Sequence, residues 1–316
     1  MRFKSLLVYL FILIFLVWCG ITFRSDIAQI RFAPIWHAWD AVLLAGVLSL
    51  GNYLLRVLRW RIYLAHLGHV LPTGLAGLTY IAGFAFTLSP GKVGELARGH
   101  YYQKIGIPLS RTAAAFFVER LMDLLAMLAL AFLAAASVTA YDTLIWLAAV
   151  AILALLLVLG LAPWSRIADR VEDGALLSGS LKKAAQGMLR MLQSAKALLT
   201  PGMLLAGFSL GLLAWGAEGI GLMVLGALAP QVPIDWATAT GIYAVAIIVG
   251  AISFLPGGLG GTEVVMIALL AAHGYALPDA ILMTLVCRLL TLWLAVLLGW
   301  LAVFVLRRNP ILKENT

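Results

Sequence analysis

Charge is scarce in this chain. Asp, Glu, Lys and Arg make up only 11% of its 316 residues, against 63% hydrophobic, and the mean hydropathy is +1.03. Soluble domains run at about 25% charged and about 45–50% apolar, so a water-soluble globular fold is excluded. Cysteine is scarcer still. Cys19 and Cys287 lie far apart inside apolar runs, which argues against a disulfide framework and for apolar packing. The ~10-residue alternating segments of a transmembrane barrel are missing. So is any catalytic constellation: the five histidines (37, 66, 69, 100, 273) make no metal-ligand spacing. No metal, no other cofactor and no enzymatic activity are expected. The net charge of +8 would suit nucleic acid as a basic patch, but the charges gather at the ends of apolar runs, and no nucleic-acid partner is expected.

The chain does have long hydrophobic runs. Six of them, roughly 5–23, 41–63, 111–139, 143–162, 202–228 and 278–306, are long enough to cross a ~30 Å hydrocarbon core as helix. Two shorter apolar segments, 74–88 and 236–254 (with a further arm at 262–273), run into Pro-Gly interruptions. The N-terminal "MRFKSLLVYLFILIFLVWCG" lacks a small-residue cleavage site and is expected to remain as the first span. Trp36 and Trp39 follow it as candidate interfacial anchors. The only long polar section is 163–200. Within it Lys182, Lys183, Gln186, Arg190, Gln193 and Lys196 share one helical arc, with Met188, Met191, Leu192 and Leu199 opposite. That pattern fits a basic helix on an anionic leaflet, or equally a connector packed on the bundle. The expectation is one integral membrane domain over 1–316, with halves 1–162 and 201–308 joined by the connector 163–200.

Lysine and arginine bias sets the expected orientation. With the N-terminus inside, Arg2, Lys4, Arg56, Arg59, Arg61, the basic residues of 163–200, Arg307, Arg308 and Lys313 are cytoplasmic, and Arg24 and Arg31 lie outside. This holds only if each interrupted segment enters and leaves on one face. The first opens to the cytoplasm, keeping Lys92, Arg98, Lys104 and Arg111 there, and the second opens outward. The resulting fold class is an all-α polytopic membrane protein of about six transmembrane helices plus two re-entrant helical hairpins in an inverted pseudo-repeat. Both termini would be cytoplasmic, in the cytoplasmic (inner) membrane.

The interruptions themselves carry the functional signal. "SPGKVGE" (89–95) and "LPGGLGGTE" (255–263) share Pro-Gly, a later Gly and then a Glu. Inverted repeats with broken helices are a recurring transporter plan, with the substrate site near the midplane. Non-helical backbone survives in hydrocarbon only where protein or a water-filled cavity satisfies it. Each new helix start favours an anion, so two of them facing one cavity suit a phosphate headgroup. A pair of plain Pro-Gly kinks is the alternative. On this reading Pro90, Gly91, Gly94, Pro256, Gly257, Gly258 and Gly260 shape the cavity, while Lys92, Arg98 and Arg288 attract the phosphate. Glu95 and Glu263 hold the turns or bind an amine-bearing headgroup. Glu119, Asp123 and Glu218 lie inside apolar runs, where charges are costly and usually functional, and are expected to line the path or take up protons. The competing view makes them structural, with Glu119 or Glu263 paired to Arg288. Gly207 and Gly211 form a GxxxG expected to serve helix packing.

Across nearly its whole length the chain also resembles a known family. "RVLRW" (56–60), "SPGKVGELAR" (89–98), "VERLMD" (118–123), Trp215, "SFLPGGLGGTE" (253–263) and "CRLLTLW" (287–293) are similar in order to the lysylphosphatidylglycerol synthase transmembrane region, a flippase-like family. The resemblance implies a domain that moves or handles lipids. The sequence ends at Thr316 without an aminoacyltransferase domain, so transport rather than synthesis is expected. The expected function is a flippase for a phosphate-bearing lipid of aminoacyl-phospholipid, glycolipid or polyprenyl-linked type. The alternatives are a non-transporting subunit working with a lipid-biosynthesis enzyme partner, and an intramembrane lipid-phosphate enzyme.

Overall fold

A computed structural model describes residues 32–135, 142–173 and 179–308. The expected first span, Arg2, Lys4, Arg24, Arg31 and Lys313 lie outside the described residues. The described residues are mostly helical, with no strand among them. In order they form α1 (Ala33–His37), α2 (Trp39–His66), α3 (Thr73–Gly83), α4 (Arg98–Lys104), α5 (Leu109–Ala135), α6 (Asp142–Leu161) and α7 (Trp164–Asp173). The second half supplies α8 (Gly179–Ala197), α9 (Pro201–Leu225), α10 (Trp236–Ile252), α11 (Gly261–His273), α12 (Leu277–Arg288) and α13 (Leu294–Arg308).

Among the described residues, three stretches are long and apolar enough to cross a membrane: Trp39–His66, Pro201–Leu228 and Leu277–Arg308. The bent pair Trp146–Leu161 and Trp164–Val171, turning by 65°, makes a fourth if taken as one span. The remaining long helix, α5, has 27 residues, but Glu119, Arg120 and Asp123 interrupt its apolar face. Thr73–Phe86 and Trp236–Ile252 are shorter apolar helices, as expected for arms that stop at a break.

Small residues set the closest approach in the bundle. A side chain on Gly207 would collide with Tyr63 Oη, and one on Gly211 would meet Arg59 Nη1 at 3.0 Å, so the GxxxG lets α9 lie directly on α2. Residues 289–293 between α12 and α13 form a π turn. Such turns interrupt the regular ladder, and here the Tyr53 hydroxyl donates to the carbonyls of Leu290 and Thr291 at 3.1 and 3.0 Å. Asp235 caps α10 by accepting from the N–H groups of Ala237 and Thr238. The Thr238 hydroxyl, which donates to Asp235 at 2.7 Å, and then these N–H groups hold its carboxyl below the usual carboxylate range.

The connector resolves toward packing. In α8, Leu189 and Ala195 are buried, and Met191 and Leu192 join the same apolar core, whereas Met188 is exposed. Arg56 and Arg59, expected at the cytoplasmic side, are corrected by the structure. They are 5% and 1% exposed and point into the bundle, because each finds a carboxylate there.

Candidate functional site

The two interruptions are breaks in helices, and they meet. In the first, α3 ends at Gly83, Ser89 is extended, and a 3-10 stretch over Pro90–Ala97 leads into α4. Ser89 Oγ accepts from the Gly94 N–H at 2.6 Å, and Glu95 accepts from the Thr87 hydroxyl at 2.9 Å. In the second, Gly257, Gly258 and Gly260 have φ of +64°, +70° and +85°, a region that side chains make costly. A side chain on Gly257 would meet Leu88 at 2.7 Å, so the breaks touch. Lys92 (φ +57°) and Phe254 (φ +54°) are the non-glycine residues with positive φ among the described residues. One lies in each break, and such strain tends to cluster at functional sites.

The expected anion site at the start of α11 is occupied by the protein itself. Glu263 accepts from the Gly260 N–H at 2.6 Å and pairs with Arg288 Nε at 2.5 Å, while Arg288 Nη2 donates to the Gly257 carbonyl at 3.0 Å. The capping carboxylate thus fills the place proposed for a headgroup. Gly258 also serves packing: a side chain there would meet Thr262 Oγ1 at 2.8 Å and the Gly250 backbone at 3.3 Å. Gly258→Val is therefore expected to lower thermal stability as well as any activity. A variant with unchanged melting temperature would contradict this packing role.

Behind the first break lies a buried ion cluster. Glu119 is fully buried and pairs with Arg98 (2.7 Å), Arg59 (3.3 Å) and Arg120 (3.5 Å), and it accepts from the Tyr80 hydroxyl. Asp123 pairs with Arg59 (2.5 Å) and Arg120 (3.0 Å) and accepts from the Trp215 indole at 2.9 Å. The i, i+4 spacing puts both carboxylates on one face, and Arg59 bridges them. Arg59 also donates to the Gly207 carbonyl at 3.3 Å. Arg98 is sealed off, its guanidinium 3.8 Å from the Trp60 ring and 4.4 Å from Tyr80. Two expectations change here. Glu119 does not pair with Arg288, and Arg98 is buried against Glu119, outside the lining of the cavity where the breaks meet. Among the described residues, no three His, Cys, Asp or Glu side chains are grouped to hold a metal.

A cavity of about 260 Å³ opens where the breaks meet. Lys92, Arg120, Asp123, Gly257, Gly258 and Arg288 give it its polar wall, while Trp215 and residues of α10 line the apolar side. Lys92 Nζ lies 5.7 Å over the Trp215 ring and makes no ion pair among the described residues. Of the expected site residues, Glu95 and Glu218 line an adjoining chamber of about 30 Å³. Gly260 and Glu263 shape the second break from behind. Sequence reasoning missed Arg56, Arg59 and Arg120 as site residues. The usable signal was "RVLRWR", in which two arginines three apart flank the face that carries Trp60.

Comparison with known proteins follows the same residues. The family model for the lysylphosphatidylglycerol synthase TM region matches residues 4–299, nearly the whole chain. None of the curated proteins compared with the chain matches it.

Proposed function

The chain belongs to the lysylphosphatidylglycerol synthase TM-region family, and from that premise we propose that it moves a phosphate-bearing lipid across the cytoplasmic membrane. Family and apolar helices together make it a multi-pass membrane protein. The observation that carries the proposal is Lys92. It is a cation that makes no ion pair with a carboxylate among the described residues, beside Arg120 and Arg288, in a cavity bounded by two broken helices. A half-buried cation facing an enclosed cavity attracts a counter-charge, and a phosphate supplies one. Side chains rather than helix-start N–H groups hold it, since Glu263 already takes that place. Phe254, 70% exposed, and its neighbours on α10 form an apolar rim along which acyl or prenyl chains stay in the bilayer while the headgroup passes. The test is loss of fluorescence from headgroup-labelled phosphatidylglycerol in proteoliposomes treated with an impermeant quencher. Faster exchange than in protein-free vesicles is expected, and equal rates would overturn the reading.

The proposed arrangement keeps about six spans, two oppositely entering hairpins and cytoplasmic termini. Cysteines placed at Lys104 and Gln186 are expected to react only from the cytoplasm, and one at Gln231 only from outside. Opposite accessibility of Lys104 and Gln186 would remove the inverted repeat.

A further inference from the structure

Among the acids around the cavity, Glu95, Glu119, Asp123 and Glu263 each have an arginine within 4.0 Å. Glu218 makes no ion pair among the described residues. It is 3% exposed on α9, and its hydrogen-bond donor is the neutral hydroxyl of Ser49, 3.1 Å from Oε2. It faces the chamber of about 30 Å³, which shares Lys92, Trp215 and Arg288 with the larger cavity. That space is large enough for one water. Polar atoms without a hydrogen-bonding partner in the protein line it as well: Nε and Nη2 of Arg56, Oε2 of Glu95 and Oγ1 of Thr291.

Glu218 is thus held by the field of nearby cations and not by contact with one. Arg56, Arg288 and Lys92 supply that field. An anion in the cavity sets its own charge against Lys92 and Arg288 and cancels much of their field at Glu218. An ionised buried carboxylate then becomes more costly, and taking up a proton relieves the cost. Linkage makes the effect reciprocal: a neutral Glu218 leaves the cations free for the anion. Resting on the proposed handling of a phosphate headgroup, we infer that Glu218 is a proton site linked to the anion site, so that headgroup and proton are bound together.

The other groups facing Glu218 do not supply this proton. They are the guanidinium groups of Arg56 and Arg288 and the phenols of Tyr53 on α2 and Tyr243 on α10, with the Cys287 thiol on α12 beyond them. All are side-chain types that ordinarily titrate above the window from pH 5 to 7.5. Glu95 and Lys92 across the chamber are the remaining candidates. Glu95 is tied to Thr87 and lies 4.0 Å from both Arg56 and Arg120, and uptake at Lys92 is told apart by the test, because it would survive in Glu218→Gln.

The test uses the purified full-length protein and dioctanoyl phosphatidylglycerol, a phosphodiester whose charge is constant from pH 5 to 7.5. Calorimetry in buffers of different ionisation enthalpy counts the protons taken up on binding. Wild type is expected to take up a fraction of a proton, at most one, with affinity rising as pH falls by up to about tenfold per unit. Glu218→Gln is expected to bind with no uptake and a flat pH profile. Glu218→Asp is expected to recover uptake, which a purely structural role would not produce. Uptake unchanged in Glu218→Gln, or lost only in Glu95→Gln, overturns the inference. Wild-type binding without proton uptake overturns it while the transport reading stands, and absence of binding at every pH overturns both.

Discussion

Arg59→Met is expected to lower the unfolding free energy by about 3–5 kcal/mol, the usual loss when one partner of a buried ion pair is removed. Arg59 ties three helices together: it pairs with Asp123 and Glu119 of α5 and donates to the Gly207 carbonyl of α9 from its own place on α2. Without it, Asp123 keeps Arg120 and the Trp215 indole, which sets the lower end of the range. Adding Asp123→Asn removes the stranded charge yet keeps an acceptor for Trp215, so the double variant should recover part of the loss. Thermal unfolding in detergent measures both. A single variant within ~0.5 kcal/mol of wild type, or a double variant worse than the single, would remove the pairing argument.

Lys92→Gln is expected to slow headgroup translocation at least about tenfold, the effect of losing ~1.4 kcal/mol of anion binding, with little change in melting temperature. The expectation is specific because Lys92 has no ion-pair partner to strand among the described residues and because glutamine keeps the Cβ at φ +57°. Lys92→Gly separates charge from strain. Relief of a left-handed non-glycine residue is worth of order 1 kcal/mol, so this variant should be as stable as wild type or more so, and just as slow as Lys92→Gln. Full transport by either variant would take the cation out of the mechanism, whatever becomes of Glu218.

The breaks were legible because their chemistry is local. Pro90 and Pro256 stop a helix, and Gly257, Gly258 and Gly260 permit the positive φ they adopt, whatever the rest of the chain does. The charges of "VERLMD" were equally plain as intramembrane residues. Their partners were not. Arg59 and Glu119 are 60 positions apart, and nothing in either segment names the other. Arg56 and Arg59 fall within three turns of the end of α2 at His66, where an arginine looks like a loop charge. The anion site at α11 misled for a related reason: a helix start preceding Glu263 attracts negative charge, and Glu263 itself reaches back to provide it. Of the two partners offered for Arg288, the nearer in sequence was the right one.

The contact between Leu88 and Gly257 has a consequence for how this chain can diverge. The two positions belong to opposite halves of the protein, yet the leucine occupies the space that a side chain at 257 would need. A side chain at 257 obliges the end of Leu88 to move aside, and it must in addition accept the positive φ. Changes at the two positions are therefore linked across a long stretch of sequence, and a smaller residue at 88 eases one at 257.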